Sequence, residues 1–145
     1  MLNFFLALGA PGEDLPEAVA VAAAFHDLGI WTDATFDYLA PSVRLAADHL
    51  ARTGGETLLP EVTALIVEHH KLRAYRGPHG ANVERFRRAD LVDLSLGTIR
   101  FGLAPEFVGA VRAALPNAGF HARLLQLTAR QLLRTPRRPL PMIRW

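Results

Sequence analysis

The amino-acid sequence predicts an all-α protein, and three observations carry that prediction. Apolar residues recur mainly at spacings of three and four from one end of the chain to the other, which is the period of a helix face. Alternating apolar and polar runs, which are typical of strands, are almost absent. Because 145 residues fit one domain of ordinary size, we expect a single bundle-like domain of six or seven helices over residues 1–145.

The most apolar helix is recognised from the residues at its ends. Asp14 can cap a helix whose first turn contains Pro16 and Glu17, and Gly29 can end that helix. Between them, Ala18–Phe25 is apolar on every side. A helix of this kind is normally buried at the centre of a fold.

The later helices are separated by proline, glycine and asparagine. Thr53–Gly55 and Arg76–Gly80 are expected to break the chain, Pro105 and Asn117 to mark two helix starts, and the Pro-rich tail 136–145 not to be helical throughout. The helices predicted in this way run from Pro41 to about Arg52, from Pro60 to near His70 or Leu72, from Asn82 to Gly97, from about Glu106 to Leu115, and from Phe120 to Arg134.

Composition excludes several classes of function. The 16 basic and 14 acidic residues leave a formal charge of +2, too small an excess to predict a nucleic-acid polymer as partner. Without cysteine there is no disulfide, Cys-ligated zinc site or thiol nucleophile. The apolar segment Met1–Ala10 is too short to span a membrane and lacks the pattern of a signal peptide. We therefore expect a cytoplasmic protein with no membrane partner, whose metal chemistry would depend on its histidines.

Two potential metal ligands, His26 and Asp27, lie together at the end of the apolar helix. Adjacent helical residues point about 100° apart, which suits neighbouring positions around an octahedral divalent ion. A carboxylate at the negative end of a helix is unfavourable unless positive charge compensates it. The pair therefore predicts a bound cation.

Asp90 is the second unusual carboxylate. It falls in the middle of the apolar stripe formed by Val83, Phe86 and Leu94, where an unpaired charge would cost several kcal/mol. Either an arginine such as Arg87 or a metal ion must lie nearby, and the sequence leaves both open. Asp93, one turn further on, is either a supporting group or a solvated charge.

The histidines differ in the faces they occupy. His69 projects from the apolar face of Val62, Leu65 and Ile66, as a core residue or as a site residue, whereas His70 is expected to point away from that face. We assign no site role to the other three histidines of the later chain: His49, His79 and His121.

Basic residues flank these candidates. Arginine binds phosphate oxygens in a bidentate manner, although a run of charges is also typical of a solvated helix face. The position of these basic residues beside the candidate ligands favours a phosphate group as the bound partner. The residues concerned are Lys71, Arg73 and Arg76 after the histidine pair, and Arg85, Arg87 and Arg88 before Asp90.

Three features follow one another along the chain: AAAFHDLG with its His26-Asp27 pair, then His69-His70, and then Asp90 within RRADLVDLS. In this order they resemble the HD-domain superfamily of metal-dependent phosphohydrolases. The resemblance covers about residues 15–97. It implies an all-helical fold in which His26 and Asp27 match the central ligand pair and Asp90 the distal aspartate. His69 and His70 are placed like extra histidines that, in some members, bind a second metal or the phosphate.

One feature of the family is missing. Its first ligand histidine lies on the preceding helix, and no histidine precedes His26 here. Leu2–Leu8 is similar to the latter part of that helix, so we expect a first helix truncated at the N-terminus, or a lost ligand. We also expect Leu2, Phe5 and Leu6 to pack on the apolar helix and His26 to have an open face.

The resemblance implies a phosphohydrolase that cleaves a phosphomonoester or phosphodiester, in a nucleotide-like or other small phosphorylated substrate, with a metal-activated water. The expected metal ligands are His26, Asp27, Asp90 and His69, and the expected catalytic residues are Asp27, His69, Lys71 and Arg87. His and carboxylate ligands suit Mn²⁺, Fe²⁺, Co²⁺, Ni²⁺ or Mg²⁺ better than Zn²⁺. The alternatives are a hydratase or hydrolase of a small non-phosphate substrate, and a non-catalytic helical binding module.

Overall fold

A computed structural model of the chain describes residues 1–33, 35–116, 119–136 and 140–143. Within these ranges every regular element is a helix, and seven α-helices have six residues or more, which confirms the all-α prediction. The elements are α1 (Leu2–Ala7), α2 (Glu17–Phe25), the four-residue α3 (Gly29–Thr32), α4 (Leu39–Thr53), a 3-10 turn (Glu56–Leu58), α5 (Leu59–Glu68), α6 (Gly80–Leu94), α7 (Pro105–Ala114) and α8 (Phe120–Arg134).

The core is built around α2 and α5. Helix α2 packs against α4 and α5, and α5 also packs against α6. Ala18, Val19 and Ala22 of α2 are buried in this core, as the apolar pattern of the helix predicts. A smaller apolar cluster joins Phe36 and Tyr38, which precede α4, to Leu127 of α8 and to Met142.

The ends of α2 differ from the prediction. Pro16 occupies the N-cap without a side-chain hydrogen bond, so Asp14 does not cap the helix. Gly29 does not end α2 but begins α3. A glycine is needed at this position because the chain passes very close to it. A Cβ atom on Gly29 would lie 2.6 Å from the carbonyl oxygen of Tyr38. The Gly29 N–H also donates to Ser42 Oγ at 3.0 Å, which fixes α3 against α4.

The start of α6 also differs from the prediction. The helix begins at Gly80, after His79 in the left-handed conformation (φ 58°), so Asn82 lies inside the first turn and is not its cap. Instead, the Asn82 amide donates to Glu61 Oε1 at 2.7 Å and connects α6 to α5. Helix α4 ends at Thr53, within the predicted break, and its C-cap Gly54 adopts the left-handed conformation. The predicted helix start at Asn117 lies outside the described residues.

The N-terminal helix packs differently from our expectation. Helix α1 contacts mainly α6, with Phe4 and Phe5 buried and Leu6 exposed. The His26 side chain is 14% exposed and lines the cavity that is described below. In the part of the chain that the structure describes, we find no helix with the length and apolarity needed to cross a membrane.

Candidate metal centre

Five side chains from three parts of the chain meet at one end of the core. His26 and Asp27 follow the last residue of α2, and His69 and His70 follow the last residue of α5. Asp90 lies on α6 and is buried. Because α5 packs against both α2 and α6, the two helix ends and the carboxylate come together.

The distances between these groups are short. His26 Nε2 lies 3.3 Å from Asp27 Oδ2 and 3.8 Å from Asp90 Oδ1. His69 Nε2 lies 3.7 Å from Asp27 Oδ1, and His70 Nδ1 lies 3.8 Å from Asp90 Oδ2. The structure thus brings together His26, Asp27, Asp90 and His69, the four residues predicted as ligands, and adds His70. These five residues are called the ligand cluster below.

Backbone hydrogen bonds orient two of the imidazole rings. His26 Nδ1 lies 2.9 Å from the carbonyl oxygen of Ala23, and His69 Nδ1 lies 2.7 Å from that of Ile66. A carbonyl oxygen can only accept, so each Nδ1 carries a hydrogen and each Nε2 faces the carboxylates. Metal-binding histidines are commonly held in this way, with one ring nitrogen donating to a carbonyl and the other free to bind.

Two atoms of the ligand cluster have no hydrogen-bond partner. Asp27 Oδ1 and His69 Nε2 are both buried and unpartnered, although they face each other. Leaving a buried polar atom unsatisfied costs about 1–3 kcal/mol. Asp27, His69 and His70 each offer a ligand atom within 4.8 Å of the other two, which fits one shared ion. The residues present therefore fit a divalent cation.

The charges in the ligand cluster influence one another strongly. Burial opposes a charge on His26, but Asp27 and Asp90 outweigh it and raise its pKa to about 9. Burial would raise the pKa of the Asp27 carboxyl, but His26 and His69 hold it well below its usual range. Burial raises the pKa of Asp90, and it lowers the pKa of His70 to about 3, helped by repulsion from His69. The two carboxylates therefore favour a positive charge on His26, whereas burial and the neighbouring imidazoles disfavour a positive charge on His70.

Tyr38 supports the ligand cluster and has no counterpart in the sequence-based prediction. Its side chain is buried just before α4, and its Oη lies 2.6 Å from His70 Nε2. Burial and the nearby carboxylates of Asp27 and Asp90 raise the pKa of Tyr38, so it is a neutral phenol. When the hydroxyl accepts from His70 Nε2–H, the Nδ1 lone pair of His70 is available on the side of Asp90.

The expectation that His70 points away from the site is wrong. The step of 100° per residue applies only inside a helix, and α5 ends at Glu68. In the turn that follows, the rings of His69 and His70 lie with their centroids 3.9 Å apart. Both histidines therefore face the ligand cluster, His69 toward Asp27 and His70 toward Asp90.

Lys71 and Arg87, which the sequence predicts as catalytic residues, pair with glutamates outside the ligand cluster. Arg87 Nε and Nη2 bind the Glu84 carboxylate at 2.8 Å each, and Lys71 Nζ lies 3.4 Å from Glu68. Neither basic side chain lines the cavity beside the ligand cluster. Of the described residues, His26 and His70 have the basic groups that come within 4.0 Å of the Asp90 carboxylate, so the alternative of an Arg87–Asp90 ion pair is also wrong.

A cavity of about 690 Å³ opens beside the ligand cluster. His26, Asp27, His70 and Asp90 contribute to its wall, together with apolar side chains from the end of α6, from α7, from α8 and from residues 140–143. His121, to which the sequence assigned no role, also lines it. The size is typical of a pocket for a small molecule.

A scan against protein-family models finds no matching family, and searches of curated proteins and of solved structures find no match either. The resemblance to the HD-domain superfamily therefore rests on the residues quoted above and stays a prediction.

Proposed function

We propose that the protein is a metal-dependent phosphohydrolase that binds a divalent cation with the ligand cluster. The observation that carries the proposal is the pair of buried, unpartnered atoms Asp27 Oδ1 and His69 Nε2, which face each other at 3.7 Å. A cation held there would satisfy both atoms at once and would offset the like charges of Asp27 and Asp90. The resemblance to HD-domain phosphohydrolases supports the same assignment.

The chain's own residues supply the positioning that such chemistry requires. A divalent cation, when bound, supplies a Lewis acid and lowers the pKa of water. The carbonyl oxygens of Ala23 and Ile66 orient His26 and His69, and Tyr38 orients His70. Asp27, whose pKa its neighbours hold low, is ionised at neutral pH and can accept a hydrogen bond from an attacking water and so orient it. Nitrogen and oxygen ligands favour Mn²⁺, Fe²⁺, Co²⁺, Ni²⁺ or Mg²⁺ over Zn²⁺.

One observation favours a second candidate, a hydratase or hydrolase of a small non-phosphate substrate. Among the described residues, the cavity wall contains a single lysine or arginine, Arg112, and its Nη1 already donates to the carbonyl oxygen of Leu96 at 2.7 Å. A neutral substrate needs no further cationic group. The two candidates share the metal and differ in the bond that is cleaved.

Metal content and phosphate release test the proposal. Chelator-treated protein is reloaded with Mn²⁺ or Co²⁺, and inorganic phosphate is measured from a panel of phosphomonoesters, with a coupled phosphatase added for diesters. We expect stoichiometric metal, and a rate that falls at least about 100-fold in His26→Gln, since this change removes a ligand. His49→Gln is the matched control, because His49 contacts the ring of Phe25 and not the ligand cluster.

Three outcomes decide between the candidates. Metal-dependent phosphate release that is lost in His26→Gln supports the phosphohydrolase. Stoichiometric metal with turnover of nitriles or amides and none of phosphate esters supports the second candidate. If neither Mn²⁺ nor Co²⁺ binds, both candidates are wrong.

A further inference from the structure

The wall of the cavity changes in character away from the ligand cluster. Leu94 of α6, Val111 of α7, Phe120 and Leu124 of α8, and Met142 all line it. Several further leucines in the wall remain open to solvent, and Leu115 is 60% exposed. Apolar side chains exposed in a concave surface are typical of a binding groove.

The apolar wall is continuous with the ligand cluster through Tyr38. The hydroxyl of Tyr38 contacts His70, while its ring belongs to the apolar cluster that contains Phe36, Leu127 and Met142. A molecule with one end at the ligand cluster therefore has its other end against this apolar surface. The cavity volume of about 690 Å³ is within the range that encloses a small molecule of this kind.

The charges on the wall argue against a highly anionic substrate. Asp27, Asp90 and Asp93 line the cavity, and the basic side chains described in its wall are the guanidinium of Arg112 and the imidazoles of His26, His70 and His121. Polyphosphates are normally bound by several lysines, arginines or backbone N–H groups. A cation held by the ligand cluster would supply positive charge for one phosphate group, and among the described residues the wall offers only one lysine or arginine, Arg112, for a second.

We infer that the substrate is a small phosphate ester with a single phosphate group and an apolar organic body, such as an alkyl or aryl chain. The inference rests on the proposed function for its phosphate group and on the cavity wall for its apolar body. Phosphate at the ligand cluster places the ester carbon toward the leucine-rich wall. Nucleoside polyphosphates are then poor substrates, since neither their charge nor their polar base matches this surface.

Binding of a homologous series tests the inference without relying on turnover. Ethyl-, butyl- and hexylphosphonate, which lack a hydrolysable ester, are titrated calorimetrically into the Mn²⁺-loaded protein. Burying one CH₂ is worth about 0.8 kcal/mol, or roughly fourfold in affinity. Because the cavity is partly open, we expect about twofold per CH₂ and thus at least about tenfold from ethyl- to hexylphosphonate. Adenosine monophosphate and triphosphate are expected to bind at least about tenfold more weakly than hexylphosphonate.

Matched substitutions on α8 locate the effect. In Leu124→Asn we expect hexylphosphonate to bind about fivefold more weakly and ethylphosphonate to bind as before, because Leu124 belongs to the apolar wall and not to the ligand cluster. Leu132→Asn is the control, since Leu132 lies on the same helix, is half exposed and does not line the cavity. Should Leu124→Asn fail to fold, the exposed Leu115 takes its place as Leu115→Asn.

The outcomes separate this inference from the proposed function. Equal affinity along the series, or tighter binding of either nucleotide, overturns the inference even if phosphate esters are hydrolysed. Phosphonate affinity that rises with chain length and falls in Leu124→Asn supports the inference. If no ester is cleaved in that case, the inference stands and only the proposed hydrolysis is wrong. If none of the phosphonates binds to the metal-loaded protein, the inference is wrong as well.

Discussion

Replacing Asp90 with asparagine should barely change the stability of the metal-free protein and should remove most of the stabilisation by metal. Burial raises the pKa of Asp90, so its ionised form disfavours folding as pH rises above 3.8. Asparagine removes this penalty, but it also removes one carboxylate that attracts protonated His26. Because the two effects oppose each other, we expect a net change within about 1 kcal/mol at pH 7.

The effect on metal binding is much larger. A ligand present at 100 times its Kd stabilises the folded state by about 2.7 kcal/mol. For a chain of this length, 1 kcal/mol corresponds to about 2–4 °C in Tm, so Mn²⁺ should raise the Tm of the wild type by about 5–10 °C. If Asp90→Asn weakens binding about 100-fold, the stabilisation at the same Mn²⁺ concentration falls to about 0.4 kcal/mol, or about 1 °C.

Calorimetric melting of chelator-treated protein, with and without Mn²⁺, measures both effects. Asp93→Asn is the matched control, because Asp93 lies one turn further along α6 with its side chain 46% exposed and outside the ligand cluster. It should keep the full rise in Tm. If Mn²⁺ raises the Tm of Asp90→Asn as much as it raises that of the wild type, the assignment of Asp90 as a ligand is refuted. A loss of more than about 3 kcal/mol without metal would identify Asp90 as part of a structural ion pair instead.

Three further predictions follow from single residues. Mn²⁺ affinity should increase between pH 7 and pH 9, by up to about tenfold per pH unit. The reason is that the pKa of His26 is raised to about 9, so its proton must leave before Nε2 binds the metal. Equal Kd values at pH 7 and pH 8 would contradict this prediction. Gly29→Ala should cost about 1–3 kcal/mol in urea unfolding, since its Cβ would meet the Tyr38 carbonyl, whereas Gly80→Ala, with open space around it, should cost little. Burial opposes the ionisation of Glu84, but hydrogen bonds from arginine side chains and a backbone N–H lower its pKa to about 2. Glu84→Gln should therefore lower the free energy of unfolding by about 1–2 kcal/mol at pH 7. In unfolding titrations, this difference in free energy between variant and wild type should narrow from pH 4.5 to pH 2.

Local periodicity predicted part of the buried surface correctly, but it also placed Leu6 and Leu94 on buried faces, and both are exposed. The apolar residues of α2 and the position of Asp90 within an apolar stripe could be recognised because both depend only on neighbours three and four residues away. The ends of the helices depend on contacts that are distant in sequence. Gly29 is a glycine because Tyr38 and Pro41 approach it, and nothing in the sequence around Gly29 indicates that approach.

The composition of the ligand cluster was predicted only in part, for the same reason. His26, Asp27 and Asp90 stand out because each carboxylate occupies a place that is electrostatically unfavourable by local rules. His70 could not be placed without knowing that α5 ends at Glu68. Tyr38 precedes α4 and reaches His70 through the tertiary fold, so no spacing in the sequence connects the two residues.

The basic residues beside the ligands show how a charge run can mislead when its own neighbours are not considered. Glu84 lies three residues before Arg87 and four before Arg88, the spacings at which opposite charges pair on a helix, and it binds both guanidinium groups. Lys71 is likewise three residues from Glu68, whose carboxylate it approaches. These positive charges are balanced locally, away from the cavity. The carboxylates of Asp27 and Asp90 are left with imidazoles as their nearest basic groups, and this shortage of positive charge, rather than the number of arginines nearby, is the feature that favours a bound cation.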